Sequence, residues 1–209
     1  TKGKGSTAAF CDSALHAAGY RTGFYSSPHL HSFRERFRLN LQPISENRFA
    51  ALVELVWPQH LQVTTDSGLG PVTLFEFITG MAFQCFAQEQ VAYQTVEVGL
   101  GGRLDATNVV DPDVAVITSV SIDHTAILGG TLAEIAEEKA GIIKPQVPVV
   151  IAPQPPQALD VILAKCREQR ARPIRLPEDV TWSREEHSID GQSLRVRGRL
   201  GQYLLRIPL

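Results

Sequence analysis

Cysteine is scarce in this chain, and what there is cannot staple it. Cys11, Cys85 and Cys166 lie far apart in helical patterns, with no CxxC pair among them. An odd, scattered set excludes a disulfide framework and reads as buried thiols in a reducing compartment. A surplus of positive charge is also missing. Twenty Lys and Arg against 22 Asp and Glu leave a net charge of −2, which gives no electrostatic reason to expect a nucleic-acid partner. Local basic clusters such as Arg34-Arg36-Arg38 exist, but Glu35 interrupts that one. Long apolar runs are absent too. Each is broken by Gly, Gln or a charge, so no membrane span is expected. No signal-peptide pattern, internal repeat or low-complexity tract is visible, and the cytoplasm is the expected location. What remains is an ordinary globular composition, 44% hydrophobic and 20% charged over 209 residues, long enough to bury a good core.

The first residues carry the strongest signal. Lys2-Gly3-Lys4-Gly5-Ser6-Thr7 runs straight into a helical pattern. A glycine-flanked lysine followed by hydroxyls is the back half of a phosphate-binding loop. The glycines let backbone N–H groups turn toward phosphate oxygens, Lys4 adds a point charge, and Ser6 or Thr7 offers a hydroxyl to phosphate or Mg²⁺. The helix that follows adds the positive end of its dipole. Such a loop needs a preceding strand as its anchor, and none is present. The chain is therefore expected to be a piece of a longer protein.

The pattern downstream alternates between strand and helix. Helices are expected over Ser6–Ala18, Glu46–Gln62 (ended or kinked at Pro58), Thr73–Gln90, Thr131–Ile143 and Pro156–Ala171. Strands are expected over Thr22–Ser26, Tyr93–Val98, Asp113–Val120 and Val147–Ala152. This order predicts an α/β fold, a P-loop-type mostly parallel sheet flanked by helices. Near Arg172 the character changes. Asp190-Gly191 sits between two strand-like runs, Thr181–Ser188 and Gln192–Arg197, and Gln202–Ile207 offers a third. The expected organisation is an α/β domain over 1–172 with a small antiparallel, β-rich end over 173–209.

Open α/β sheets bind ligands at the carboxyl ends of their strands, which singles out several polar residues. Glu97 ends the Tyr93–Val98 strand, where a carboxylate facing a phosphate loop is placed to hold Mg²⁺; the alternative is an exposed strand-end glutamate. Asp123-His124-Thr125 follows the next strand, and His124 is a candidate for metal or phosphate contact. Lys139, near a helix end before Gly141, reads on physical grounds as a cation complementing the helix dipole. Ser27-Pro28-His29-Leu30 reads as an ordered loop. Phe75 and Glu76 read as helix-face residues, and the glycine-rich turn 99–108 as a substrate loop.

Taken together, these segments resemble the folylpolyglutamate synthase family, including its bifunctional dihydrofolate synthase forms, within the Mur-ligase superfamily. The matching runs are GKGST at 3–7, SSPHL at 26–30, LFE at 74–76, EVGLGGRLDATN at 97–108, ITSVSIDHTAILGGTLAEIAEEKAGIIK at 117–144 and PVV at 148–150. The resemblance implies the Mur-ligase central-domain fold and an ATP-dependent ligase. That ligase joins L-glutamate to dihydropteroate or a reduced folate through an acyl phosphate. It implies that Gly3, Lys4, Gly5 and Ser6 hold the ATP phosphates, with Lys2 beside them. Ser27 and Glu97 would ligate one Mg²⁺, and Glu97 with His124 would serve a second. Lys139 matches the lysine that this family carbamylates, so Lys4, His124 and Lys139 are the implied catalytic residues. The pteroate pocket would draw on Thr73, Leu74, Phe75 and Glu76 and on Leu104, Asp105 and Ala106, with Phe75 offering an aromatic face.

The chain departs from the family in three places. Lys2 stands where the family usually has Asn, the strand and first glycine before the loop are missing, and the C-terminal domain with the glutamate site is not reached. The 209-residue piece is therefore not expected to turn over alone, although the family is usually monomeric. Two rival readings stand beside this one: a UDP-muramoyl-type Mur ligase, and a non-catalytic nucleotide- or folate-binding fragment.

Overall fold

The computed structural model describes residues 3–66, 68, 70–122 and 125–208. Residues 3–110 form one compact unit and the chain from Asp111 onward forms another.

In the first unit, helix α1 (Lys4–Ala17) packs on strands β1 (Thr22–Tyr25) and β4 (Tyr93–Val96). Between these strands come a 3₁₀ turn (Phe33–Arg36), β2 (Phe37–Leu39), β3 (Gln42–Pro43), α2 (Glu46–Asp66) and α3 (Leu74–Gln88). The sheet order is β3-β2-β1-β4. β1 and β4 run parallel with Tyr25 opposite Val96, while β2 returns antiparallel with Phe37 opposite Tyr25. The carboxyl ends of β1 and β4 therefore lie side by side, as a phosphate-binding α/β site requires. Tyr25, Phe37, Leu52, Ile78, Met81 and Phe86 form the core of this unit. α3 supplies its apolar face at helical spacing, and a Thr73–Glu76 capping box starts it.

Pro58 does not end α2. The helix runs through it to Asp66. Proline removes one backbone N–H, but side chains on both sides of it pack on the core and on α3. Phe49, Val53 and Val56 pack on the core before it, and the rings of Trp57 and His60 meet Phe77 at 5.7 and 5.1 Å. Tertiary packing outweighs the local penalty.

The second unit contains β5 (Ala115–Ile117), α4 (Thr125–Leu128), α5 (Leu132–Ala140), β6 (Val149–Ile151), α6 (Pro156–Glu168) and β7 (Pro173–Arg175). β5, β6 and β7 form a parallel sheet in that order. Ala115 and Ile117 of β5 and Val149 and Ile151 of β6 are buried, as expected of strands inside a parallel sheet. β7 thus belongs to the parallel sheet, and the antiparallel part begins only at Thr181. There β8 (Thr181–Ser188), β9 (Gly191–Gly198) and β10 (Gly201–Pro208) make a meander. Ser188 pairs with Gly191, so the hairpin turns on Ile189-Asp190, one residue earlier than the Asp-Gly pair suggests. The outcome is the α/β fold with a parallel sheet and an antiparallel end. Among the described residues, no helix is long and apolar enough to cross a membrane.

Candidate active site

Gly3 takes a left-handed conformation (φ 87°) as the N-cap of α1, and no side chain caps the helix there. The first intrahelical bond runs from the Thr7 N–H to the Gly3 carbonyl at 3.0 Å. The N–H groups of Lys4, Gly5 and Ser6 therefore have no partner within the helix, and a helix start of this kind attracts phosphate.

Glu97 follows β4 and continues its pairing, its N–H donating to the Tyr25 carbonyl at 2.9 Å. Its carboxylate lies against the phosphate loop. A Cβ on Gly5 would stand 3.2 Å from Glu97 Oε2 and 3.3 Å from Oε1. The Ser27 N–H donates to Oε2 at 3.4 Å. Burial pushes this carboxyl above the ordinary glutamate range, while the Ser27 N–H, the Lys4 charge and the Gly5 N–H pull it back. A half-buried carboxylate with only backbone N–H groups and one lysine to compensate it suits a divalent cation, which would relieve the desolvation directly. Ser27, beside it, adds a hydroxyl of the hard-oxygen type that Mg²⁺ takes.

On the other side of Tyr25 is an aromatic wall. The Tyr25 and Phe75 rings are 6.3 Å apart, and Phe75 packs onto Gly99 so closely that a Cβ there would be 2.5 Å from Phe75 Cζ. Asp105 organises the glycine-rich loop. It accepts from the Leu100 N–H at 2.8 Å, the Thr107 N–H at 3.0 Å and the Thr107 hydroxyl at 2.5 Å. It also caps the 3₁₀ turn Ala106–Val109. Leu104, at 79%, and Leu74, at 63%, are exposed. Thr73 and Glu76 face each other: the Thr73 N–H and hydroxyl both donate to Glu76 Oε2 at 2.7 Å, which holds the Glu76 carboxyl below the usual range. These two have a helix-capping task that the sequence pattern alone did not reveal.

Lys139 belongs to the second unit, in the last turn of α5, where it is only 6% exposed. That position suits a cation complementing the helix dipole, and the burial is unusual for a lysine. Lys2 and His124 lie outside the described residues.

Sequence reasoning missed a cluster beside Tyr25. Glu35 accepts from the N–H groups of Leu30, His31 and Ser32 at 2.9, 2.9 and 2.7 Å. These bonds tie down the loop that carries Ser27. They also drop the Glu35 carboxyl to about 2. Arg36 Nε donates to His29 Nδ1 at 3.0 Å. In sequence Glu35 looks only like an interruption in a basic cluster. The available signal was its place five residues after Leu30, within reach of that loop's backbone.

No family model matches the chain. It is 46% identical over 180 residues to the dihydrofolate synthase/folylpolyglutamate synthase of Bacillus subtilis, covering 86% of this chain and 41% of that protein. The folylpolyglutamate synthase of Mycobacterium tuberculosis, solved with ADP and AMPPCP, superposes with a TM-score of 0.95 at 39% identity. That match covers all of this chain and 49% of the other. A complex of FPGS with AMPPCP and folate superposes at 0.94 and 36% identity, covering 100% of this chain and 51% of that one. The chain spans less than half the length of the curated relative. The fold thus agrees with the resemblance seen in sequence, and over the length it spans the chain belongs to the folylpolyglutamate synthase/dihydrofolate synthase family.

Proposed function

We propose that this chain is the phosphate- and acid-binding part of an ATP-dependent ligase that adds L-glutamate to dihydropteroate, to tetrahydrofolate, or to both. The observation that carries the reading is the Glu97 carboxylate, half-buried against Gly5 of the phosphate loop and the Ser27 N–H. The relatives solved with nucleotide and folate support the substrate class.

The chain's own groups divide the work. The Lys4, Gly5 and Ser6 N–H groups and the Lys4 ammonium hold the ATP phosphates and offset their charge. Phe75 and the Asp105-organised loop receive the flat ring system of the acid. The γ-phosphoryl group passes to the acid's carboxylate, breaking its bond to ADP and giving an acyl phosphate. The glutamate amine attacks that carbonyl, loses a proton, and inorganic phosphate leaves. Ser27 and Glu97 would hold Mg²⁺, which would supply charge neutralisation for the phosphoryl oxygens. The family resemblance further implies metal contact for His124 and carbamylation for Lys139.

The test is a ligation assay on the full reading frame containing this chain, with ATP, Mg²⁺ and labelled L-glutamate. Dihydropteroate and tetrahydrofolate are supplied separately. Amide product from dihydropteroate establishes the synthase activity, and product from tetrahydrofolate alone establishes chain extension. A steady ATPase without amide product refutes the proposal.

A further inference from the structure

Arg36 sits in a setting of imidazole, phenyl ring and backbone. Among the described residues, Arg21, Arg34, Arg48, Arg175 and Arg195 each pair with a glutamate. Arg36 has no such carboxylate. Its Nε donates to the neutral His29 Nδ1 at 3.0 Å, and its guanidinium carbon lies 5.6 Å above the Phe33 ring. Phe33 in turn stacks on His29 with ring centroids 4.3 Å apart. The Arg36 charge also acts on the Tyr25 phenol, lowering its pKa against the effect of burial, and that phenol oxygen is 2.9 Å from Thr79 Oγ1.

None of these partners is a carboxylate. They fix the plane of the guanidinium without cancelling its charge. A guanidinium held in place without a paired carboxylate keeps its terminal N–H groups available to an anionic ligand. With Nε committed to His29, the terminal N–H groups form the planar fork that suits a carboxylate or an acyl phosphate.

Its location narrows the choice. Arg36 precedes β2, and its carbonyl accepts the Ser26 N–H at 3.3 Å. It is thus anchored next to Ser27 at the strand end it shares with Glu97. Tyr25, whose phenol feels the Arg36 charge, also lies against Phe75, where the ring of the acid is placed in the proposed function. The carboxylate of a ring-bound acid must come to this strand end to meet the phosphate loop.

We propose that Arg36 grips the carboxylate of the acid substrate and holds it for phosphorylation, with His29 and Phe33 positioning the guanidinium. This rests on the ligase reading above. The bonds are hydrogen bonds to a charged group, so their loss is expected to weaken binding by roughly tenfold to a hundredfold.

The experiment uses the full-length protein and measures equilibrium binding of dihydropteroate, followed by its pterin fluorescence. A second ligand is the matching pterin–anilide analogue without the carboxylate. Arg36→Gln is expected to weaken dihydropteroate about tenfold or more while leaving the carboxylate-free analogue and ATP unchanged. Arg36→Lys, which keeps charge and bulk but not the fork, is expected to fall between and serves if the glutamine variant does not fold. Equal loss for both ligands would make Arg36 a structural residue and overturn the proposal, as would no loss for either. A wild-type protein that binds no dihydropteroate refutes the ligase reading itself, and the role of Arg36 falls with it.

Discussion

Gly5 and Glu97 approach so closely that a methyl group on the glycine would meet both carboxylate oxygens, at 3.2 and 3.3 Å. This spacing joins the first turn of α1 to the end of β4. It also separates two effects that usually travel together. Alanine is the better helix former by about 1 kcal/mol, so Gly5→Ala should leave stability unchanged or slightly raised. The carboxylate, however, must give way by a few tenths of an ångström, and the phosphate loop with it. Misplacement at a reacting centre is expensive, so ligation by the full-length variant should fall about tenfold or more. Full activity at an unchanged melting midpoint would show that the contact does not position Glu97.

The packing of Phe75 on Gly99 makes a different prediction. A Cβ at position 99 would lie 2.5 Å from Phe75 Cζ and 3.0 Å from Asp105 Oδ2, an overlap that cannot be absorbed in place. Gly99→Ala should therefore destabilise the protein by about 1–3 kcal/mol. Phe75→Leu in the same chain should recover part of that loss, because the smaller side chain frees the space. Urea titration of the two single variants and the double variant checks this, and simple additivity would count against a direct clash.

Thr73 has two candidate roles, a helix cap and a wall of the substrate pocket. The observed capping box, with Glu76 accepting from both the N–H and the hydroxyl of Thr73, predicts that Thr73→Ala costs about 1 kcal/mol of stability. Thr73→Ser should restore it. If capping is its whole task, KM for the acid substrate will be the same in all three proteins. A rise in KM that serine does not reverse would assign Thr73 to the pocket instead.

These residues also show what the sequence could and could not convey. The strand that leads into Glu97 and the helix beginning after Thr73 were legible because burial imposes a period on the chain. Pro58 misled because its local penalty is visible in sequence, whereas the packing of Trp57 and His60 on Phe77 is not. The short β2 strand, Phe37–Leu39, was invisible for a related reason. Its place is set by pairing with β1 and not by any pattern of its own. At the site, glycine-rich runs pointed to the phosphate loop and the substrate loop. Nothing in the spacing of Tyr25, His29 and Arg36 announced that a turn would bring them together. That information lies in the loop closed by Glu35.

Glu35 gives a prediction with a defined pH signature. Its Oε2 accepts from Leu30, and its Oε1 from His31 and Ser32, so both oxygens are committed to backbone donors. Its folded carboxyl titrates at about 2 against an ordinary 4.5. A folded value below the unfolded one means that the charged form favours the native state. The contribution is therefore complete above about pH 4.5 and is lost as the pH falls toward 2. Glu35→Gln replaces one acceptor with an NH₂ group facing an N–H, a contact the charged residue never had to make. The variant should melt lower than wild type at neutral pH, and the gap should narrow as the pH falls from about 5 toward 3. Thermal midpoints across that range for the two full-length proteins decide the matter. A gap that stays constant with pH would mean that the Glu35 charge does not hold the Ser27 loop.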